Sequence, residues 1–173
     1  MLTPSHRKRF EQVVRAYSND LYRYLYWRCR DRGQAEDLVQ ETFARAWSAW
    51  ADQRDEATEK AWLFTIARNE HARLYERQRP EVDPDADLDA LVAHGPPDPS
   101  LSIDMRKAFA LLPEAYRDPL LMQVLGGLSS AEIARATAGT EESVNMRLSR
   151  ARKALRVLLE GRPTAGRTKE SRS

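Results

Sequence analysis

Near the C-terminal end of this 173-residue chain, Asn145, Arg147, Ser149, Arg150, Arg152 and Lys153 bring together the chemistry of a nucleic-acid reader. Guanidinium and ammonium groups bind phosphate, while amide and hydroxyl groups can hydrogen-bond to base edges. These side chains alternate with Val144, Leu148, Ala151 and Leu155, which recur at i, i+4, i+7 and i+11 and so form one buried helical stripe. A second constellation is acidic. Asp37, Gln40, Glu41 and Ala44 fall at i, i+3, i+4 and i+7, on one face of a helix. Such a face either solvates the helix or docks a basic or helical partner, and composition alone leaves both open. A third comprises Asn69, Arg73 and Arg77, spaced by four, with Trp62, Arg68 and His71 on the same segment. Together these have the parts for stacking on and holding a single strand of DNA. Trp62 by itself reads as a core tryptophan.

Nothing in the chain assembles into a catalytic set. His6, His71 and His94 lie far apart, and there is no glycine-rich phosphate loop. The single cysteine, Cys29, excludes an intramolecular disulfide and a cysteine-based zinc cluster. It sits in an aromatic, arginine-rich stretch and reads as a small buried residue rather than a redox sensor. No metal or cofactor is expected. No apolar run approaches a membrane span and the N-terminus lacks a signal-peptide core, so direct membrane insertion is not expected and a reducing cytoplasm is the natural compartment.

The elements that must position these groups are all helical. Phe10, Val13, Val14, Tyr17, Leu21, Tyr24, Leu25 and Arg28 predict an amphipathic helix over about residues 5–30, ended at Asp31-Arg32-Gly33 with Gly33 as terminator. A second helix over 34–52 turns Leu38, Val39, Phe43, Ala46, Trp47 and Trp50 inward. After a polar loop at 51–59, a third runs over 60–78 with Trp62, Leu63, Ile66, Ala67 and Leu74 inside. Arg79-Pro80 ends it.

The net charge of +2 says little about partners, but its distribution says more. Residues 81–104 hold seven acidic side chains and no Lys or Arg, with Pro84, Gly95, Pro96, Pro97 and Pro99, which is the composition of a linker. Its acidity is expected to keep two basic modules from adhering to each other, or to DNA, until a partner displaces it. Residues 141–173 hold nine Lys or Arg against four Glu. Beyond the linker, Ile103, Ala108, Leu111 and Leu112 suggest a helix stopped by Pro113. Another runs from about 114 to 125, with Pro119 in its early turns and Gly126-Gly127 at its end. A short helix then carries Ile133, Ala134 and Ala138, with Ser130 as its cap. Gly139 supplies a left-handed turn residue, and Thr140 caps the basic helix. The expectation is an all-α chain of two small helical domains, three helices and then four, ending in a helix-turn-helix. The divisions are 5–79, linker 80–100, 101–160 and a disordered basic tail 161–173.

Three segments in this order resemble one family. AEDLVQETFARAW (35–47) resembles the core-polymerase-binding helix in region 2 of bacterial sigma factors. AWLFTIARNEHARLYERQR (61–79) looks like the promoter-opening helix that follows. LLPEAYRDPLLMQVLGGLSSAEIA (111–134) and SVNMRLSRARKALR (143–156) resemble region 4. With regions 2 and 4 alone, the chain is similar to the extracytoplasmic-function class of the sigma-70 family. The resemblance implies a promoter-specificity subunit, not an enzyme. Its partners would be core RNA polymerase (β′ and β subunits), promoter DNA and an anti-sigma protein held between the domains. It places Asp37, Gln40, Glu41 and Phe43 at the docking positions for the β′ coiled coil, Phe43 shaping the core beneath the others. It places Trp62, Arg68, Asn69, Arg73 and Arg77 toward the minus-ten element. Thr140, Ser143, Asn145, Met146, Arg147, Arg150 and Arg152 fall at the minus-thirty-five element, with Arg150 and Arg152 suited to phosphates or guanines. Three departures stand out: Arg73 where the family often has Asp, Ala138 where it has Gly, and Asn145-Met146 in place of the commoner Lys-Ser. A stand-alone helix-turn-helix regulator, with an idle acidic face, and a sigma-like decoy that binds only an inhibitor are the competing readings.

Overall fold

The computed structural model describes residues 3–52, 55–78 and 103–160, and all regular structure among them is helical. Helix α1 (Pro4–Cys29) begins at a capping box: Thr3 Oγ1 accepts from the His6 N–H and His6 Nδ1 from the Thr3 N–H, with Pro4 at the first position. It ends at Arg30, not at Gly33. Arg30 takes the left-handed conformation (φ 55°) and its N–H closes on Tyr26 O at 2.7 Å. Gly33 lies inside helix α2 (Arg32–Ser48), because Asp31 Oδ1 caps the Gln34 N–H at 2.8 Å and starts the new helix two residues earlier. The expected loop at 51–59 contains two short 3-10 turns, Trp50–Asp52 and Glu56–Thr58, before helix α3 (Glu59–Gln78).

These three helices close around aromatic rings. Phe10 lies 4.9 Å from Trp47 and 5.0 Å from Trp50, Trp50 lies 6.2 Å from Trp62, and the Trp50 indole N–H donates to His6 O. Trp62 is half-buried against this cluster.

The second module comprises α4 (Ile103–Leu111), α5 (Glu114–Val124), α6 (Ser130–Ala136) and α7 (Glu141–Glu160). Phe109, Leu112, Leu120, Leu121, Met122, Leu125, Leu128, Ile133, Val144, Leu148 and Ala151 form its core, while Leu111, expected inside, is 49% exposed. Pro119 is the sixth residue of α5 and buried, a turn deeper than where a missing N–H is free.

The two modules pack directly on each other, contrary to the expectation that linker acidity holds them apart. Helix α6 lies against α3, and α5 touches α1. Trp27 and Phe109 rings meet at 5.9 Å, which explains why Trp27 is buried beside the helical stripe of α1. Gly126 lies close against the first module: a Cβ there would sit 2.8 Å from Phe64 Cε1, and 2.6 Å from Met122 O of its own module. The linker 80–100 and the tail 161–173 fall outside the described residues. No helix among the described residues is long and apolar enough to cross a membrane.

Candidate functional site

The reading helix is set up by its turn. Ser129, not Ser130, caps α6: its Oγ accepts from the Glu132 N–H at 3.2 Å while Glu132 Oε1 accepts from the Ser129 N–H at 3.0 Å. Ala138, not Gly139, adopts the left-handed conformation (φ 52°), and the Gly139 N–H closes on Ala134 O at 2.9 Å. The position where the resemblance calls for glycine is therefore the one whose backbone needs it, and here an alanine Cβ bears the strain. Thr140 caps α7 as expected, its Oγ1 accepting from the Ser143 N–H at 3.1 Å.

From there α7 extends about 30 Å at 1.5 Å per residue. Val144, Leu148 and Ala151 are fully buried and Leu155 partly, which fixes the rotation of the helix. Thr140, Asn145, Met146, Arg147, Arg150 and Arg152 are exposed, and Ser143 is half-buried. Besides the Thr140 cap, two of them are engaged with neighbouring helices. Asn145 Oδ1 accepts from Ser130 Oγ at 2.6 Å, and the Arg152 guanidinium donates to the Gln123 side-chain oxygen on α5.

On α2, Asp37, Gln40 and Glu41 are exposed on one face. Phe43 is half-buried beneath, its ring edge-on to Phe10 at 6.3 Å. Between α2 and α3 runs a groove of about 320 Å³ lined by Asp37, Glu41, Arg45, Glu70 and Arg73, among others. Its floor is the buried Glu70 carboxylate, which accepts from Arg45 Nε at 2.6 Å and Arg73 Nη1 at 3.1 Å. Arg45 also pairs with Glu41 at 3.0 Å. Sequence reasoning did not single out Glu70 or Arg45.

Helix α3 thus sends its polar residues to different neighbours. Arg73 lines the groove between α2 and α3 with Asp37 and Glu41. Asn69 is exposed, and Arg77 lies on the last turn of α3. Arg68 points the other way, into the junction between the modules, where its Nε donates to Asp118 Oδ2 at 3.0 Å. Asp118 is the centre of that junction. Its Oδ1 accepts from the fully buried Tyr24 hydroxyl at 2.6 Å and from Arg28 Nη1. Arg28 donates in addition to Tyr24 Oη at 3.2 Å, to Glu114 at 3.0 Å and to His71 Nδ1 at 3.3 Å.

The electrostatics follow from burial and pairing. Burial pushes the Asp118 carboxyl up, but Arg28 and hydrogen bonds from Tyr24, Arg28 and Arg68 outweigh it and hold the group below the usual carboxylate range. Burial, with Arg28 adjacent, lowers His71 to about 4, as suits an imidazole whose Nδ1 accepts from a cation. Burial raises the Cys29 thiol to about 11, so that half-buried group is a poor nucleophile at neutral pH. The sequence placed Tyr24 on the stripe of α1 without its role at the junction, and did not single out Asp118 or Glu114. Their one signal is a lone carboxylate, Asp118, immediately before the apolar run Pro119-Leu120-Leu121-Met122.

Comparison with known proteins matches this arrangement on both modules. Sigma-70 region 2 matches residues 13–81 and Sigma-70 region 4 matches residues 102–155. The chain is 30% identical over 153 residues to the ECF RNA polymerase sigma factor SigM of Bacillus subtilis, covering 86% of this chain and 93% of that protein. It is 33% identical over 158 residues to the ECF RNA polymerase sigma factor BldN of Streptomyces coelicolor, covering 87% of this chain and 60% of that one. Among solved structures, the sigma factor RpoE in complex with the anti-sigma factor NepR from Bartonella quintana is similar with a TM-score of 0.70 and 28% identity. That match covers 88% of this chain and 98% of that one. CnrH in complex with the cytosolic domain of CnrY shares the fold, with a TM-score of 0.68 at 24% identity over 91% of each chain. The chain belongs to the sigma-70 family, in its extracytoplasmic-function class, and is a promoter-specificity subunit of RNA polymerase rather than an enzyme.

Proposed function

We propose that this protein works in the cytoplasm and directs core RNA polymerase to promoters by gripping DNA at two points. Residues 5–79 act as the polymerase-docking and minus-ten module, and residues 101–160 as the minus-thirty-five module. Asp37, Gln40 and Glu41, backed by Phe43, form the acidic face for the basic β′ coiled coil. Trp62, Arg68, Asn69, Arg73 and Arg77 serve the melted minus-ten strand. Helix α7 enters the major groove, with Ser143, Asn145, Met146 and Arg147 toward bases and Thr140, Arg150 and Arg152 toward phosphates or guanines. The observation that carries this reading is α7 itself: its buried seam fixes an exterior of amide, hydroxyl and guanidinium groups on a helix-turn-helix.

The two-point grip requires the modules to part. Elements about 25 base pairs apart lie roughly 85 Å apart along B-DNA at 3.4 Å per pair. A compact chain of this length has a radius of gyration of only about 15 Å. The 24-residue connector 79–102 spans at most ~80 Å fully extended, enough to join separated modules. Opening also frees Arg68 from Asp118. An anti-sigma protein that keeps the modules from reaching both elements would hold the factor inactive; the related RpoE is in complex with the anti-sigma factor NepR.

Run-off transcription with purified core polymerase and this chain tests the proposal. Promoter-dependent transcripts that require both elements are expected; their absence at every promoter tested removes it.

A further inference from the structure

The hydroxyl that does not cap α6 has another partner. Ser129 supplies the cap, so Ser130, the first residue of the helix, is free to reach across to α7, where its Oγ lies 2.6 Å from Asn145 Oδ1. An amide oxygen carries no hydrogen, so the serine donates and the asparagine accepts. The carboxamide of Asn145 is thereby oriented. Its oxygen faces back toward α6, which leaves its NH₂ on the side away from Ser130 at an exposed position of α7.

We infer that Ser130 is a specificity-determining residue that presets Asn145 as a hydrogen-bond donor to bases. The inference rests on the proposed placement of α7 in the major groove. An unrestrained asparagine pairs bidentately with adenine, its oxygen accepting from N6 and its nitrogen donating to N7. With Oδ1 accepting from Ser130, one of its two lone pairs is taken and the oxygen is held toward α6, so bidentate pairing with adenine competes with that bond. The outward NH₂ matches base edges that present acceptors: guanine, through O6 and N7, or thymine, through O4. Cytosine presents only an amino donor there, and adenine presents its N7 acceptor beside the N6 amino donor, so both fit a lone NH₂ less well than guanine, with its two acceptors. Asn145 therefore selects a keto base over an amino base at its position. Ser130 acts by positioning it.

The experiment uses holoenzyme assembled from core polymerase and the full chain, with binding measured on a promoter library varied at every minus-thirty-five base pair. The expected profile for the wild type has one position preferring guanine or thymine by about tenfold. Asn145→Ala should erase the preference there and nowhere else. Ser130→Ala should shift that same position toward adenine, and Ser130→Thr, which keeps the hydroxyl, should restore the keto preference. The inference is overturned if Ser130→Ala leaves the profile unchanged, if it weakens all positions uniformly, or if the wild type prefers adenine at the Asn145 position. A wild-type holoenzyme indifferent to the whole element would instead sink the groove placement itself, and the inference with it.

Discussion

Replacing Asp118 with alanine should unlatch the two modules. The carboxylate serves a fully buried tyrosine hydroxyl, the Arg28 guanidinium with a side chain 10% exposed, and Arg68 at 40% exposure. Removing one member of a buried pair costs about 3–5 kcal/mol, because the other charge is left uncompensated. Arg68 adds little, since solvent screens it. Arg28 retains Glu114, whose side chain is 68% exposed, so the lower end applies. A loss of about 3 kcal/mol corresponds to roughly a 150-fold change in an equilibrium constant. Separation of the modules lets water reach Tyr24 and Arg28, so the loss falls on the closed packing before it falls on either module's fold. Small-angle scattering of the free chain should give a radius of gyration near 15 Å for the wild type and a larger value for the variant. Asp118→Asn, which keeps an acceptor, should fall between. If Asp118→Ala and wild type scatter alike and melt at the same temperature, the junction does not depend on this carboxylate and the reasoning fails.

Three further outcomes are expected. Ala138→Gly should stabilise the chain by about 0.5–1 kcal/mol, since a left-handed alanine costs about 1–2 kcal/mol and glycine loses part of that gain in the unfolded state; chemical denaturation checks it. His71 has a folded pKa of about 4 against an ordinary 6.5, so the unfolded chain binds more protons between those values. Stability should be full above pH 6.5 and fall toward pH 4, by on the order of 1–2 kcal/mol after solvent screening. Thermal midpoints at pH 7.5 and 5 measure this, and a His71→Gln variant with the same drop would assign it elsewhere. Glu41→Arg should abolish retention on immobilised core polymerase without changing the melting temperature, whereas undiminished retention would rule out this face as the docking surface.

What the sequence made legible was periodic and local. Val144, Leu148 and Ala151 announced the seam of α7, and the i, i+3, i+4 spacing of Asp37, Gln40 and Glu41 announced a shared exposed face. Helix ends were less legible because several residues competed for each. Gly33 looked like a terminator, yet the Asp31 cap restarted the helix before it. Ser130 looked like a cap, yet its neighbour Ser129 had Glu132 three residues on. Gly139 looked like the left-handed residue, yet the hydrogen bond to Ala134 put that conformation on Ala138. The junction was not legible at all. Tyr24 and Asp118 are 94 positions apart, and no local pattern pairs a buried phenol with a distant carboxylate. Spacing also grouped Asn69, Arg73 and Arg77 without revealing that Arg73 faces α2 while nearby Arg68 faces α5.

The closed junction has a consequence for affinity. When a binding-competent state is a fraction f of the population, the apparent dissociation constant is the intrinsic one divided by f. Removing about 3 kcal/mol from the closed packing raises f by up to roughly 150-fold for as long as that packing still dominates. With the proposed docking on α2, and assembly requiring the open state, polymerase affinity would be set jointly by that acidic face and by a carboxylate on α5 that polymerase need never touch. Weakening Asp118 should strengthen holoenzyme assembly, an increase in function caused by a loss of contacts. By the same accounting, an inhibitor gains control in proportion to its preference for the closed state, not to its total affinity.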